Sequence, residues 1–277
     1  MTIWNAMLLG LVQGITEFLP VSSSGHLSMI NNLFGMSASG EGHLLFDVLL
    51  HLGTLVSICV VYWKDIVEMF FDVLGFLNVG PTAGKRRDRY PAARLFFMIV
   101  LATLPLLLIL PIKDRIETLY YNNIFIGIAL VLTGCMLYVS DKMLPGKKNS
   151  GSMTVFDALI IGLCQCVATI PGLSRSGTTI TAGIATGLNR NFAVKFSFLM
   201  SIPAVLGANI LSLADAVSHG VDWSSFPAYL AGMAVSAISG IGAIYLLKYI
   251  ARKGRFGGFA YYCWVAGVLS IILTMIF

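Results

Sequence analysis

Charge is scarce in this sequence. Of its 277 residues, 18 are Lys or Arg and 13 are Asp or Glu, 11% in all, while 57% are hydrophobic. A soluble domain carries about a quarter charged residues, so an ordinary water-facing surface is excluded. The chain reads as an integral membrane protein whose helices satisfy their own backbone hydrogen bonds. Cysteine is sparse as well. Cys59, Cys135, Cys164, Cys166 and Cys263 lie in apolar segments, without the CxxC or Cys/His spacing of a zinc or redox site, and read as small packing residues. A leader pattern is missing: the first twenty residues are apolar but hold no Lys or Arg, and no small-residue cleavage site precedes a polar domain. They are read as part of the mature fold. The net charge of +5 would suggest nucleic acid in a soluble protein. In a membrane chain the placement of basic residues matters more than their total, and no nucleic-acid partner is expected.

What the sequence does hold is long apolar runs. Spans near the ~20 residues that cross a bilayer occur at about 46–63, 95–111, 123–141, 192–211, 227–249 and 257–277, predicting six crossings. Basic residues gather at Lys64, from Lys85 to Arg94, from Lys142 to Lys148, at Arg190 and Lys195, and from Lys248 to Arg255, which places those loops in the cytoplasm. Loops 112–122 and 212–226 set only Lys113 and Arg115 against Asp114, Glu117, Asp215 and Asp222, as outside loops should. The stretch 66–79 is expected as a short helix at the cytoplasmic surface.

Two apolar stretches remain, 1–35 and 154–187, each broken in its middle by Pro, Gly and Ser. Each is expected to be a re-entrant helix–break–helix hairpin, the first from outside and the second from the cytoplasm; irregular backbone at membrane depth is tolerated only where it lines a cavity or is buried in protein. Laying residue 6 on residue 158 aligns AMLLGLVQGITEFLPVSSSGH with ALIIGLCQCVATIPGLSRSGT without a gap. Ala6, Gly10, Leu11, Gln13, Ser22, Ser24 and Gly25 meet identical residues. A shared Gln and Ser-x-Ser-Gly argue for duplication. One hairpin and three crossings per half would invert the second half, so a single all-α membrane domain, 1–277, is expected from inverted repeats of about 1–145 and 152–277. The two breaks should then meet near the midplane.

Those breaks carry the chemistry-bearing residues. Gln13 and Glu17 share one helix face, Gly10 and Gly14 admit a close neighbour, and Ser22, Ser23, Ser24 and His26 follow Pro20. The second break offers Ser174, Arg175, Ser176, Thr178 and Thr179. An arginine beside hydroxyls and a new helix N-terminus suits a phosphate. Glu17 adds an acidic group and His26 a titratable one, which completes a phosphoryl-transfer set of clamp, acid or base, and nucleophile. Ser and Thr in membrane helices commonly bond their own backbone, and Gln13 suits an interhelix hydrogen bond. Glu17, His26 and Arg175 differ, because ionisable side chains inside a span mark function. His43, His51 and His219 are assigned no chemistry, and Asp47 reads as a helix-terminal carboxylate.

QGITEFLPVSSSGH and PGLSRSGTTI resemble the signature motifs of the bacterial undecaprenyl pyrophosphate phosphatase family, the bacitracin-resistance phosphatases, and chain length and loop pattern resemble it too. The resemblance implies that the chain removes the terminal phosphate of a polyprenyl pyrophosphate, recycling a lipid carrier for cell-wall synthesis and conferring resistance to bacitracin, which sequesters the substrate. It implies a plasma-membrane protein whose site opens outward, and leaves a homodimer open. The implied catalytic residues are Glu17, Ser23, His26 and Arg175, with Ser22, Ser24, Ser174, Ser176 and Thr178 on the phosphates. The implied cofactor is Mg2+ or Ca2+, held by Glu17 and by Gln13, where some members carry a second glutamate. Ser23 or His26 could attack phosphorus, and Glu17 or His26 could serve as base.

Two rivals are weighed. Type 2 phosphatidic acid phosphatases also hold SGH, but they need a later SRxxxxxH, where this chain has Thr181, and no Arg-Pro dipeptide occurs. A transporter or flippase of a phosphate-bearing lipid or anion shares the repeat plan, yet binding alone does not call for Glu17, His26 and a serine cluster together.

Overall fold

A computed structural model describes residues 1–34, 44–79, 90–144, 146–219 and 223–276. Among them the backbone is α-helical with short 3-10 pieces and one isolated bridge, Lys148 to Leu188. The helices are α1 (Ile3–Phe18), α2 (Ser23–Phe34), α3 (Leu44–Val61), α4 (Trp63–Phe76), α5 (Pro91–Thr103), α6 (Lys113–Glu117), α7 (Asn123–Lys142), α8 (Val155–Val167), α9 (Arg175–Ala185), α10 (Arg190–His219), α11 (Phe226–Lys253) and α12 (Gly257–Ile276).

Six segments are long and apolar enough to cross a membrane: Leu44–Val61, Pro91–Tyr121, Asn123–Lys142, Arg190–Ala214, Trp223–Lys253 and Gly257–Ile276. They match the six apolar runs, with one difference. The second continues past 111, through a 3-10 stretch at Leu104–Ile112 and on to Tyr121, so residues expected as an outside loop are helical. Pro105 and Pro111 cause the change of winding, since each lacks an N–H and clashes with the carbonyl four residues back. The short helix expected over 66–79 is α4, one turn earlier. Lys85 to Arg89, His43 and Asp222 lie outside the described residues.

Both broken stretches are helix–break–helix. Helix α1 starts at a Thr2 cap and stops before Pro20, with Leu19 extended at ψ 143°. Helix α8 starts with a Thr154–Asp157 capping box and ends ahead of Pro171 and Gly172. The second helices begin at aligned positions, Ser23 and Arg175.

Packing relies on small residues, as expected where lipid leaves little hydrophobic drive between helices. A Cβ on Gly10 would overlap the Gly232 carbonyl of α11, and one on its aligned partner Gly162 would overlap the Ala102 carbonyl of α5. Gly127 and Gly267 bring α7 and α12 together in the same way. Phe18, Ile58, Phe196, Phe198, Ile244 and Leu247 fill the core, while Ile210, Ile238, Val265 and Met275 face outward.

Several basic residues used to orient the chain also tie its loops. Lys148 bonds both Asp157 oxygens at 2.8 and 2.9 Å. Arg190 meets Asp141 at 3.2 Å and the Gly254 carbonyl at 2.7 Å. Asp141 in turn accepts the Phe256 and Gly257 N–H groups at 2.6 Å, fixing the start of α12.

A Gly10→Val change tests the α1–α11 contact. Overpacking of this kind costs about 1–3 kcal/mol, so the apparent melting temperature in detergent should fall, whereas Gly207→Ala, with nothing within 4 Å of the added carbon, should leave it unchanged or raised.

Candidate active site

The two breaks interlock. Ser176 Oγ donates to the Leu19 carbonyl at 3.3 Å, and Ser22 Oγ reaches the Leu173 carbonyl at 3.5 Å. Gly172, at φ +89°, seats the second break against α7, because a Cβ there would press on the Ile126 carbonyl. Each following helix is capped by the serine before it. Gly25 N–H donates to Ser22 Oγ at 3.2 Å, and Gly177 N–H to Ser174 Oγ at 3.1 Å.

Glu17 is the hub. Its side chain is only 6% exposed, and Arg175 forms an ion pair with Oε1. Ser23 Oγ donates to Oε2 at 2.6 Å, and Gln13 Nε2 to the same oxygen at 3.1 Å. Burying a carboxylate is costly without partners of this kind. Gln13, Glu17, Ser23 and Arg175 thus come together as a group across the two breaks.

The remaining expected residues divide. The hydroxyls of Ser22, Ser174 and Ser176 are engaged in caps and in the bonds between breaks, and Ser24 lies 3.4 Å from Ser22 Oγ. Thr178 is buried, and its Oγ1 has no hydrogen-bond partner among the described residues. His26 directs its ring elsewhere: Nδ1 is 2.7 Å from the Ser22 carbonyl and Nε2 is 2.7 Å from the Tyr262 hydroxyl.

Sequence reasoning gave His51 no role, yet its Nδ1 lies 3.0 Å from Gln13 Nε2 and 4.0 Å from Glu17 Oε2, with Asp47 3.9 Å from its other nitrogen. The i, i+4 spacing of Asp47 and His51 was the available signal. Tyr262 had none.

A cation can be tested against these donors. Gln13 turns its Nε2 to the Glu17 carboxylate and to His51, while its Oε1 is buried without a partner among the described residues. Mg2+ usually takes one or two protein oxygens and completes its shell with water and substrate phosphates, so Glu17 could serve it as one ligand, and Gln13 as a second once its amide turned to present Oε1. Among the described residues no three His, Cys, Asp or Glu side chains are grouped for a metal, so the fit is to a cation held largely by its substrate.

The description "Bacitracin resistance protein BacA" belongs to a family model that matches residues 6–269. Proteins named undecaprenyl-diphosphatase are similar over nearly the full length. The one from Methanosphaera stadtmanae is 40% identical, covering 99% of each chain. That from Carboxydothermus hydrogenoformans is 38% identical, over 99% of this chain and 98% of its own. That from Halothermothrix orenii is 36% identical over 100% of both.

The Glu17–Arg175 pair should behave as a unit. Removing one partner of a buried pair costs about 3–5 kcal/mol, because the other charge stays behind. Glu17→Gln and Arg175→Gln should therefore each lower the melting temperature in detergent, and the double variant should lower it by less than the sum.

Proposed function

This chain belongs to the bacitracin resistance protein BacA family, and from that premise we propose that it hydrolyses undecaprenyl pyrophosphate to the monophosphate and inorganic phosphate. The observation that carries the reading is the convergence of a hydroxyl, a guanidinium and a carboxamide on one buried carboxylate, Glu17. Its product is the lipid carrier used in cell-wall synthesis, and bacitracin resistance follows because hydrolysis removes the pyrophosphate that the antibiotic sequesters.

In this reading the terminal phosphate takes the Arg175 guanidinium from Glu17, since a planar fork matches two phosphate oxygens. Glu17 then loses Arg175 from Oε1 and accepts the Ser23 proton on Oε2. Ser23 Oγ forms a bond to phosphorus, the bridging P–O bond breaks, and the lipid leaves as its monophosphate anion. Water next attacks the phosphoserine, giving its proton to His26 Nε2, while Glu17 returns a proton to Ser23 Oγ as the P–Oγ bond breaks. The 2.6 Å bond from Ser23 to Glu17 supports Ser23 as nucleophile and Glu17 as its base. His26, with both ring nitrogens engaged elsewhere, fits the second step better.

Thr178 Oγ1 and the helix N-terminus at Arg175 would bind phosphate oxygens, with Ser22, Ser24, Ser174 and Ser176 shaping the two breaks around them. Gln13 and Glu17 would hold Mg2+ or Ca2+, which neutralises pyrophosphate charge that Arg175 alone cannot offset. The two aligned stretches enter the bilayer from opposite faces in this proposal, and the site opens to the outer side of the plasma membrane.

Pure protein in detergent should release phosphate from polyprenyl pyrophosphate, and excess chelator should stop it; a carrier without hydrolase activity would release none. Arg175→Lys should lose about 100-fold or more of the rate, and a variant keeping about a third of wild-type turnover would remove Arg175 as the clamp. For topology, single cysteines at Lys148 and Arg252 in a cysteine-free background should be labelled by impermeant reagent only from the cytoplasm, and one at Asp114 only from outside. Labelling of position 114 from the cytoplasm would sink the inverted arrangement.

A further inference from the structure

The imidazole of His26 is held from both sides. A carbonyl oxygen can only accept, so Nδ1, 2.7 Å from the Ser22 carbonyl, carries the proton. In the neutral ring Nε2 is then a lone pair, and the Tyr262 hydroxyl, 2.7 Å away, donates to it. The two rings also stack, 5.6 Å between centroids and 8° from parallel. Every ring position that could report a tautomer or a flip is therefore occupied.

Both supports are built rather than incidental. Ser22 has φ 69°, a left-handed conformation that a non-glycine residue adopts at a cost of about 1–3 kcal/mol. That twist aims its carbonyl at the ring while its hydroxyl caps α2. Tyr262 rides on α12, whose start is fixed by Asp141 and whose length is seated on α7 at the Gly127–Gly267 crossing. The next residue, Cys263, is fully buried and directs its thiol to the Pro20 carbonyl at 3.7 Å, setting the register of α12 against the first break.

We propose that Tyr262 is a positioning residue for the phosphatase reaction: the Ser22 carbonyl sets the Nδ1–H tautomer of His26, and the Tyr262 hydroxyl and ring hold the imidazole plane so that the Nε2 lone pair is aimed to take a proton from water. The inference rests on the reading of His26 as the base of the second step. Nε2 is the only ring nitrogen that can act as that base while Nδ1 stays on the Ser22 carbonyl. A water displacing the Tyr262 hydroxyl meets a lone pair already formed and aimed. Without the tyrosine the Ser22 carbonyl still keeps the proton on Nδ1, but the ring loses its stack and its Nε2 bond, and the lone pair spreads over a wider range of directions. The ring of Tyr262 also walls an apolar cavity of about 450 Å³ beside Leu19, Val21 and Phe259. A phenylalanine keeps that wall and the stack and removes the hydroxyl alone.

The test combines kinetics with histidine-selective 15N spectra of detergent-purified protein, the His26 resonances being assigned by their loss in His26→Asn. In the wild type Nδ1 should be protonated and Nε2 should be a hydrogen-bonded lone pair. Tyr262→Phe should move the Nε2 resonance, which loses its hydrogen bond, and leave Nδ1 protonated. Its kcat should fall about tenfold or more, with KM changed less than about twofold and the melting temperature kept. Tyr262→Leu, which also loses the stack, should be slower again. Wild-type kcat in Tyr262→Phe beside an inactive His26→Asn would overturn the inference alone, as would an unmoved Nε2 resonance. Wild-type turnover in His26→Asn would overturn the reading of His26 and this inference with it.

Discussion

Glu17 and Arg175 stand 158 residues apart in the chain and face one another across two helix breaks. Neither charge is tolerable alone among apolar helices, since a buried ion without a partner costs several kcal/mol even after relaxation. The pair therefore requires the breaks to meet, and the rest of the architecture makes that possible. Helix α1 must stop before Pro20, Gly172 must turn at positive φ, and small residues must let α1 and α8 lie close against α11 and α5. In the proposed reaction the same pair would serve turnover: a phosphate that took the guanidinium would leave Ser23 and Gln13 as close donors to Glu17, and a carboxylate freed of Arg175 would accept the serine proton more readily.

Much of this was legible in the sequence because the bilayer imposes strong local rules. Apolar length located the six spans, and Pro with Gly located both breaks. A shared Gln and Ser-x-Ser-Gly pointed to the pairing of the two stretches, and Glu17, His26 and Arg175 stood out as ionisable groups in an apolar setting; the structure joins Glu17 to Arg175 and turns the His26 ring to Ser22 and Tyr262. The misses are tertiary or depend on backbone winding. The 3-10 continuation to Tyr121 follows from two prolines whose effect on an apolar run has no hydropathy signature. His51 sits near the end of a span and acquires meaning only when α3 lies beside Gln13. Tyr262, one aromatic among many on α12, matters because of a register set by Asp141 and Gly267 far along the helix.

The serines show why residue type alone could not assign roles. Ser22, Ser23 and Ser24 are consecutive, yet the start of α2 separates them. At the cap the side chain folds back on its own helix, so Ser22 Oγ is taken by the Gly25 N–H. The first helical residue has no such duty and projects outward, and here it is Ser23, on Glu17. The second break repeats the arrangement with a different occupant: Ser174 caps, and Arg175, aligned with Ser23, projects to the same carboxylate. Two copies of one structural motif thus deliver a hydroxyl and a guanidinium to a shared partner. At the other aligned positions the copies diverge. Glu17 aligns with Thr169, whose hydroxyl bonds the Cys166 carbonyl, and Gln165 is buried with its amide unpartnered among the described residues where Gln13 reaches Glu17. Duplication would supply the geometry, and in the proposed reaction the single carboxylate would place the chemistry in one half and its clamp in the other.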